Sequence, residues 1–173
     1  FINLTDTKDA DFGTIDFSAF AWIKTLPTWG GMNGARTIIS KLPVCNHESM
    51  WHLSMFTSNG TVPYSIVAAV DQDAIGTNYI EFNTGENSIT PNRWHHVGMV
   101  RTANALTLYI DGTPRGTQTA AGIANIANTK DLLPVGPEFL DDVDEVAIHR
   151  TDIISAPIWR VMNMSQAVSA SPS

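Results

Sequence analysis

Short stretches in which apolar and polar residues alternate recur along the chain, separated by clusters of Gly, Asn, Asp and Pro. A repeat of two is the mark of strands, and the i, i+3, i+4 spacing of an amphipathic helix is almost absent. Phe17 to Lys24 (FSAFAWIK) places Phe17, Ala19, Ala21 and Ile23 on one face and Phe20 and Trp22 on the other. Both faces carry apolar weight, which predicts a central strand. Further strands are predicted over Thr37 to Lys41, Trp51 to Thr57, Pro63 to Val70, Tyr79 to Phe82 and Trp94 to Thr102, with an apolar opening strand at Phe1 to Leu4. Leu26 to Gly34 (LPTWGGMNG) holds one proline and three glycines. That composition breaks a ladder and predicts a loop with Trp29 at its tip.

The strongest local signal is WHHVGMVRT (Trp94 to Thr102) followed by ALTLYI (Ala105 to Ile110), joined through Ala103-Asn104 and succeeded by Asp111-Gly112. Asn and Asp-Gly tolerate the positive φ of tight turns, so two consecutive hairpins and a three-stranded meander are expected. Strict alternation over Val143 to Arg150 (VDEVAIHR) sets Asp144, Val146, Ile148 and Arg150 on one face, with Val146 and Ile148 pointing inward, and Val143, Glu145, Ala147 and His149 on the other. One short C-terminal helix is predicted after Ser155, a fitting N-cap, with Pro157 in the first turn and Ile158, Val161 and Met162 on one side. The spacing of the strands favours an all-β, two-sheet antiparallel sandwich over residues 1–166, and residues 167–173 read as a small, polar tail or linker. The chain opens on Phe1 with no initiator Met or signal peptide before it, as expected of a mature product or an excised domain.

At 173 residues, the chain suits one core rather than two. Ten Lys plus Arg against seventeen Asp plus Glu give a net charge of −7, which argues against nucleic acid as a partner. No apolar run is long enough to insert into a bilayer. A single cysteine, Cys45, excludes an intrachain disulfide and reads as an apolar filler in a loop.

The ordered set FSAFAWIKT, TIISK, WHLSMF, NRWHHVGMVRTANALTLYIDGTPRG, LPVG and DDVDEVAIHRTDIISAPIWRVM resembles the laminin-G-like, concanavalin A-like lectin/glucanase domains from Phe1 to about Met162. The resemblance implies a jelly roll of two curved antiparallel sheets, a carbohydrate- or protein-binding role, and often a structural calcium. Pentraxins share the Trp-His-His strand but carry a cysteine pair where this chain has Ala21 and Gly98. Animal laminin-G domains also have a disulfide near their C-terminus. A microbial or viral surface module fits this chain better.

Hydrolysis on such a fold needs two facing carboxylates. The nearest pattern is Asp142-Val143-Asp144-Glu145, where Asp142 and Asp144 share a face that Val146 and Ile148 are expected to continue into the core, and a third acid is missing. No enzyme is expected. His95 and His96, adjacent in a strand, point to opposite faces and cannot chelate one ion. Calcium takes oxygen ligands from loop and strand-end aspartates. The resemblance points to Asp144 together with carbonyls of the N-terminal loop, giving Asp144, Asp142, Asp6 and Asp11 as the candidate set. A sugar site needs an aromatic platform and polar neighbours. Trp29, Asn33 and Arg36, with Tyr64, are the candidates, while Trp22, Trp51, Trp94 and Trp159 are expected to be buried. The sequons at Asn3, Asn59 and Asn163 carry no argument. The functional expectation is a noncatalytic extracellular or cell-surface recognition module that binds a glycan or surface protein, next to other domains of a larger chain. The alternative is a structural or adhesive subunit that packs against copies of itself, and a glycan-cleaving hydrolase or lyase comes third.

Overall fold

The computed structural model describes residues 2–4, 10–27, 34–41, 49–57, 64–73, 75–127, 133–135 and 142–150, with 2–4 and 133–135 described as backbone. Eleven strands run in chain order: β1 (Ile2–Leu4), β2 (Phe17–Lys24), β3 (Gly34–Lys41), β4 (Met50–Thr57), β5 (Ser65–Asp71), β6 (Ile80–Asn83), β7 (Trp94–Thr102), β8 (Ala105–Ile110), β9 (Thr113–Thr119), β10 (Leu133–Val135) and β11 (Asp142–His149). They form two antiparallel sheets, β1-β10-β3-β4-β5-β6 and β11-β2-β7-β8-β9. The expected all-β sandwich is therefore what forms, and no helix occurs among the described residues. None of their elements is a helix long and apolar enough to cross a membrane. The predicted C-terminal helix, the tail and Trp159 lie outside the described residues.

The core sits between the sheets, where Phe17, Ala19, Ala21 and Ile23 of β2 meet Trp51, Leu53 and Met55 of β4 and Ile66, Ala68 and Val70 of β5. Phe12, from the turn before β2, stacks on Phe17 with ring centroids 4.2 Å apart, and both pack beside Trp51. As its two apolar faces require, β2 is central, between β11 and β7. Its outer face carries Phe20, which joins Val100 and Tyr109 in a second small cluster. Phe20 lies flat over Gly98, where an added Cβ would come within 2.0 Å of the ring. Any side chain at position 98 would therefore force the Phe20 ring to shift.

Three local features depart from the sequence reading. β3 begins at Gly34 rather than Thr37, so the glycine closing the predicted loop already belongs to the ladder. β10, a three-residue strand, was not expected. In the hairpin between β7 and β8, Ala103 rather than Asn104 takes the positive φ of 51°. Asn104 instead donates its side-chain amide to the Ala120 carbonyl at 2.6 Å, tying the turn to the end of β9. The Asp111-Gly112 turn has both residues at positive φ, as a tight hairpin demands.

Candidate functional site

The last strand does not keep strict alternation. Glu145 takes a φ of 47°, and the pairing with β2 shifts between Asp144 and Ala147. This bulge inserts one residue and reverses the facing of everything before it. Val143, Val146 and Ile148 pack on the core, while Asp144 stands opposite the outward-facing Trp22. Val146 and Ile148 point inward as expected, but Asp142 and Asp144 lie on the other face and are open to solvent. The donor for the bulge is the Glu145 N–H, which reaches Asp144 Oδ1 at 2.8 Å.

Two rows of side chains therefore cross three neighbouring strands on the outer face of the five-stranded sheet. Asp142 pairs with Lys24 and Lys24 with Trp94; one step inward, Asp144 pairs with Trp22 and Trp22 with His96. With strands about 4.8 Å apart and same-face neighbours about 6.7 Å apart along a strand, the two rows span roughly 10 by 7 Å, the footprint of one or two sugar rings, with Asp142, Asp144 and Trp94 open, Lys24 and Trp22 half-buried and His96 buried at the inner corner. Trp94 is 43% exposed, and Leu26, on the adjoining loop, is 52% exposed. Lys24 Nζ approaches Asp142 Oδ2 at 3.9 Å, an ion pair longer than a hydrogen bond, so both groups keep hydrogen-bonding capacity toward solvent.

The patch is held by a rigid frame beneath it. Thr90 N–H donates to His95 Nε2 at 3.1 Å, so the proton of that ring is on Nδ1, which donates to Asp111 Oδ2 at 2.8 Å. Asp111 Oδ1 accepts the His96 N–H at 2.9 Å, and its own N–H donates to the His96 carbonyl at 2.7 Å. The Asn92 N–H reaches the Thr25 carbonyl at 2.7 Å. These bonds lock the turns beside Trp94 to one another. His95 is fully committed to this brace and has no nitrogen left for proton transfer. His96, 3% exposed, stacks on Phe20 and tilts against Trp22 at 5.2 Å between centroids. Its Nδ1 finds no hydrogen-bond partner among the described residues. Burial holds its pKa below the ordinary imidazole value, against the pull of Asp111 and Glu145.

Of the residues expected from sequence to bind a sugar, Trp29 and Asn33 lie outside the described residues. Arg36 is half-buried in β3, two residues beyond that loop. Tyr64 is corrected: its ring is 0% exposed in the core, and its hydroxyl donates to the Leu26 carbonyl at 2.9 Å. It anchors the stem of the Trp29 loop and has no face to offer a ligand. Trp94 and Trp22 are corrected the other way, one exposed and one half-buried, whereas Trp51 is buried as expected. The missed signal lay in the sequence: Trp94 is the first residue after Pro91-Asn92-Arg93, and a residue that opens a strand beside a turn stands at the rim.

The described members of the calcium set, Asp11, Asp142 and Asp144, fall in two places. Asp11 adjoins Phe12, which stacks on Phe17 at the start of β2, whereas Asp144 stands opposite Trp22, five residues along that strand. Calcium would need its oxygen ligands within about 2.3 to 2.6 Å of one point. Asp142 faces Lys24, and Asp6 lies outside the described residues. Among the described residues, no three His, Cys, Asp or Glu side chains gather as a metal would need.

The family model described as the concanavalin A-like lectin/glucanases superfamily matches residues 3–152. No curated protein matches the chain by sequence. Among solved structures, the chain is similar to the binding domain of botulinum neurotoxin serotype D, at a TM-score of 0.66 and 18% identity over 94% of this chain and 39% of that one. It is also similar to the binding domain of Paraclostridial Mosquitocidal Protein 1, at 0.64 and 16% over 89% of this chain and 38% of that one. A third likeness is to the Ruminococcus gnavus IT-sialidase CBM40 bound to α2,3-sialyllactose, at 0.59 and 11% over 79% of this chain and 76% of that one. At these identities the likeness is one of fold. The chain spans about two fifths of the two toxin chains.

Proposed function

The chain belongs to the concanavalin A-like lectin/glucanase superfamily, and on that premise we propose that it is a noncatalytic recognition module that binds carbohydrate on the outer corner of its five-stranded sheet. The observation that carries the reading is the pair of rows Asp142–Lys24–Trp94 and Asp144–Trp22–His96. They combine an open indole face with hydrogen-bonding groups at sugar spacing. The nature of the structural relatives supports it: they are named as binding domains, and one holds a sialylated sugar. An extracellular or cell-surface setting suits such a module. Contact rather than turnover suits the chemistry, because Asp142 and Asp144 are open to solvent instead of facing each other across a cleft and His95 is committed to its brace. Trp94→Ala should abolish retention on the glycan the native chain selects from an array while leaving the far-UV and near-UV spectra intact. Undiminished retention would remove this corner from the reading.

A second reading, a structural or adhesive subunit, draws on the opposite end of the sandwich. There Ile75 is 89% exposed, and Ile15, Ile123 and Tyr79 are each at least 40% exposed. Asn78 bridges Gln72 and the Ile123 carbonyl at 3.3 and 3.4 Å, so these loops are fixed to one another. Self-association at micromolar concentration that Ile75→Asp abolishes would favour that reading; a monomer under those conditions would discard it.

A further inference from the structure

The corner's charge narrows its ligand, an inference that rests on the carbohydrate reading above. Lys24 is the one cation among the six side chains of the two rows, and Asp142 already faces it. Asp144 keeps Oδ2 beyond its bulge bond, and Glu145 and Asp111 both act electrostatically on the neighbouring His96. Burial holds the His96 pKa below the ordinary imidazole value, which favours the neutral ring and limits the positive charge it brings to the patch. Its buried Nδ1 finds no hydrogen-bond partner among the described residues, in a ring tilted against Trp22. An indole face beside uncompensated carboxylates attracts an ammonium group by cation–π and ionic terms acting together. The same field repels a carboxylate.

We infer that the corner selects amino sugars with a protonated amine over their N-acetylated or carboxylated counterparts, with Asp144 receiving the ammonium and Trp94 and Trp22 the ring. Lys24 then acts as a resident competitor, holding at Asp142 a cation that the ligand's amine could otherwise supply.

Calorimetric titration of the full chain at about pH 6 and low salt tests this with a glucosamine tetramer, its N-acetylated counterpart and α2,3-sialyllactose. The amine tetramer should bind about tenfold more tightly than the acetylated one. That ratio should fall in Asp144→Asn and rise in Lys24→Met, and in the native chain it should shrink toward one at high salt. The two variants change charge in opposite senses, so a shared loss of folding cannot imitate the result, and circular dichroism verifies each fold. A ratio of one or below, a ratio that neither variant moves, or a preference for sialyllactose would overturn the amine selectivity and leave the sugar-binding corner standing. Failure of the native chain to bind any of the three would overturn the amine selectivity, and failure to retain any glycan of the array would overturn the sugar reading itself.

Discussion

Arg101 and Lys24 lie at opposite ends of the same sheet, and their polar groups have opposite fates. Arg101 is 1% exposed and donates Nη1 to the Ala124 carbonyl at 3.0 Å and Nη2 to the Gly13 and Ile15 carbonyls at 3.1 and 2.6 Å. Its guanidinium also lies 5.5 Å from the centre of the Phe17 ring. Desolvation lowers its pKa to about 10, offset in part by Asp16, so it remains a cation at neutral pH. Lys24 and Asp142, by contrast, meet only loosely and face water. One end turns its strongest donor inward to fasten three loop carbonyls; the other leaves donor, acceptor and indole outward. Residues consumed by the fold cannot also serve a ligand, so a binding site is to be sought where polar groups remain uncommitted.

The largest effect expected from breaking this contrast is at the fastened end. Arg101→Met keeps the apolar bulk but strips donors from three carbonyls, and it should lower unfolding free energy by about 3 kcal/mol. Urea denaturation would measure the loss, and a change under about 1 kcal/mol would show that water replaces the guanidinium at little cost. At the open end the ranking reverses. Trp94→Ala should move stability by no more than about 0.5 kcal/mol, as surface substitutions do. Sugar affinity should meanwhile fall tenfold or more, about 1.4 kcal/mol. If stability fell as far as affinity, Trp94 would belong to the fold and the two ends would not differ in kind.

The contrast also explains what could be read without coordinates. The sandwich, the central place of β2 and the meander of β7 to β9 were legible because alternation and turn residues act locally. The corner was not. Its face depends on the bulge at Glu145, and a non-glycine residue at positive φ leaves no compositional trace in DEVAIH. Read by strict alternation, Asp144 falls on the same side as Val146, which hid the row it forms with Trp22. Tyr64 failed for another reason. An aromatic residue next to turn-rich sequence suits a rim equally well inside or out, and only the partner of its hydroxyl, the Leu26 carbonyl, decides. Trp29 and Asn33, drawn from a loop outside the described residues, stay as they were read.

Acid offers a smaller effect that sharpens the contrast between the two sheets' outer faces. His96 on one and His52 on the other, whose Nδ1 lies 2.9 Å from Ser54 Oγ, are both held below the ordinary imidazole pKa by burial. The unfolded chain then takes up protons at a higher pH than the native one, so stability falls as pH drops through about 6.5 and is recovered above it. Melting curves at pH 7 and pH 5 should show the lower midpoint in acid. His96→Gln and His52→Gln should each flatten the difference. A midpoint that rose on acidification would contradict the burial of both rings.

The smallest effect concerns calcium, which the sequence placed on Asp144, Asp142, Asp6 and Asp11. Binding to the native state alone raises the melting midpoint in proportion to the logarithm of ligand excess, so even a millimolar site becomes visible at tens of millimolar ion. The described aspartates do not converge: Asp11 belongs to the end fastened by Arg101, and Asp142 and Asp144 belong to the open corner, where Lys24 already supplies a positive charge. Calcium chloride at 10 mM should therefore shift the midpoint by less than about 1 °C relative to chelator, beyond the modest screening that any salt of equal ionic strength provides. A rise of several degrees that magnesium does not reproduce and Asp144→Asn removes would mean that Asp144 is engaged by an ion. The corner would then present a cation to its ligand, and the preference for an ammonium sugar should reverse in the same buffer.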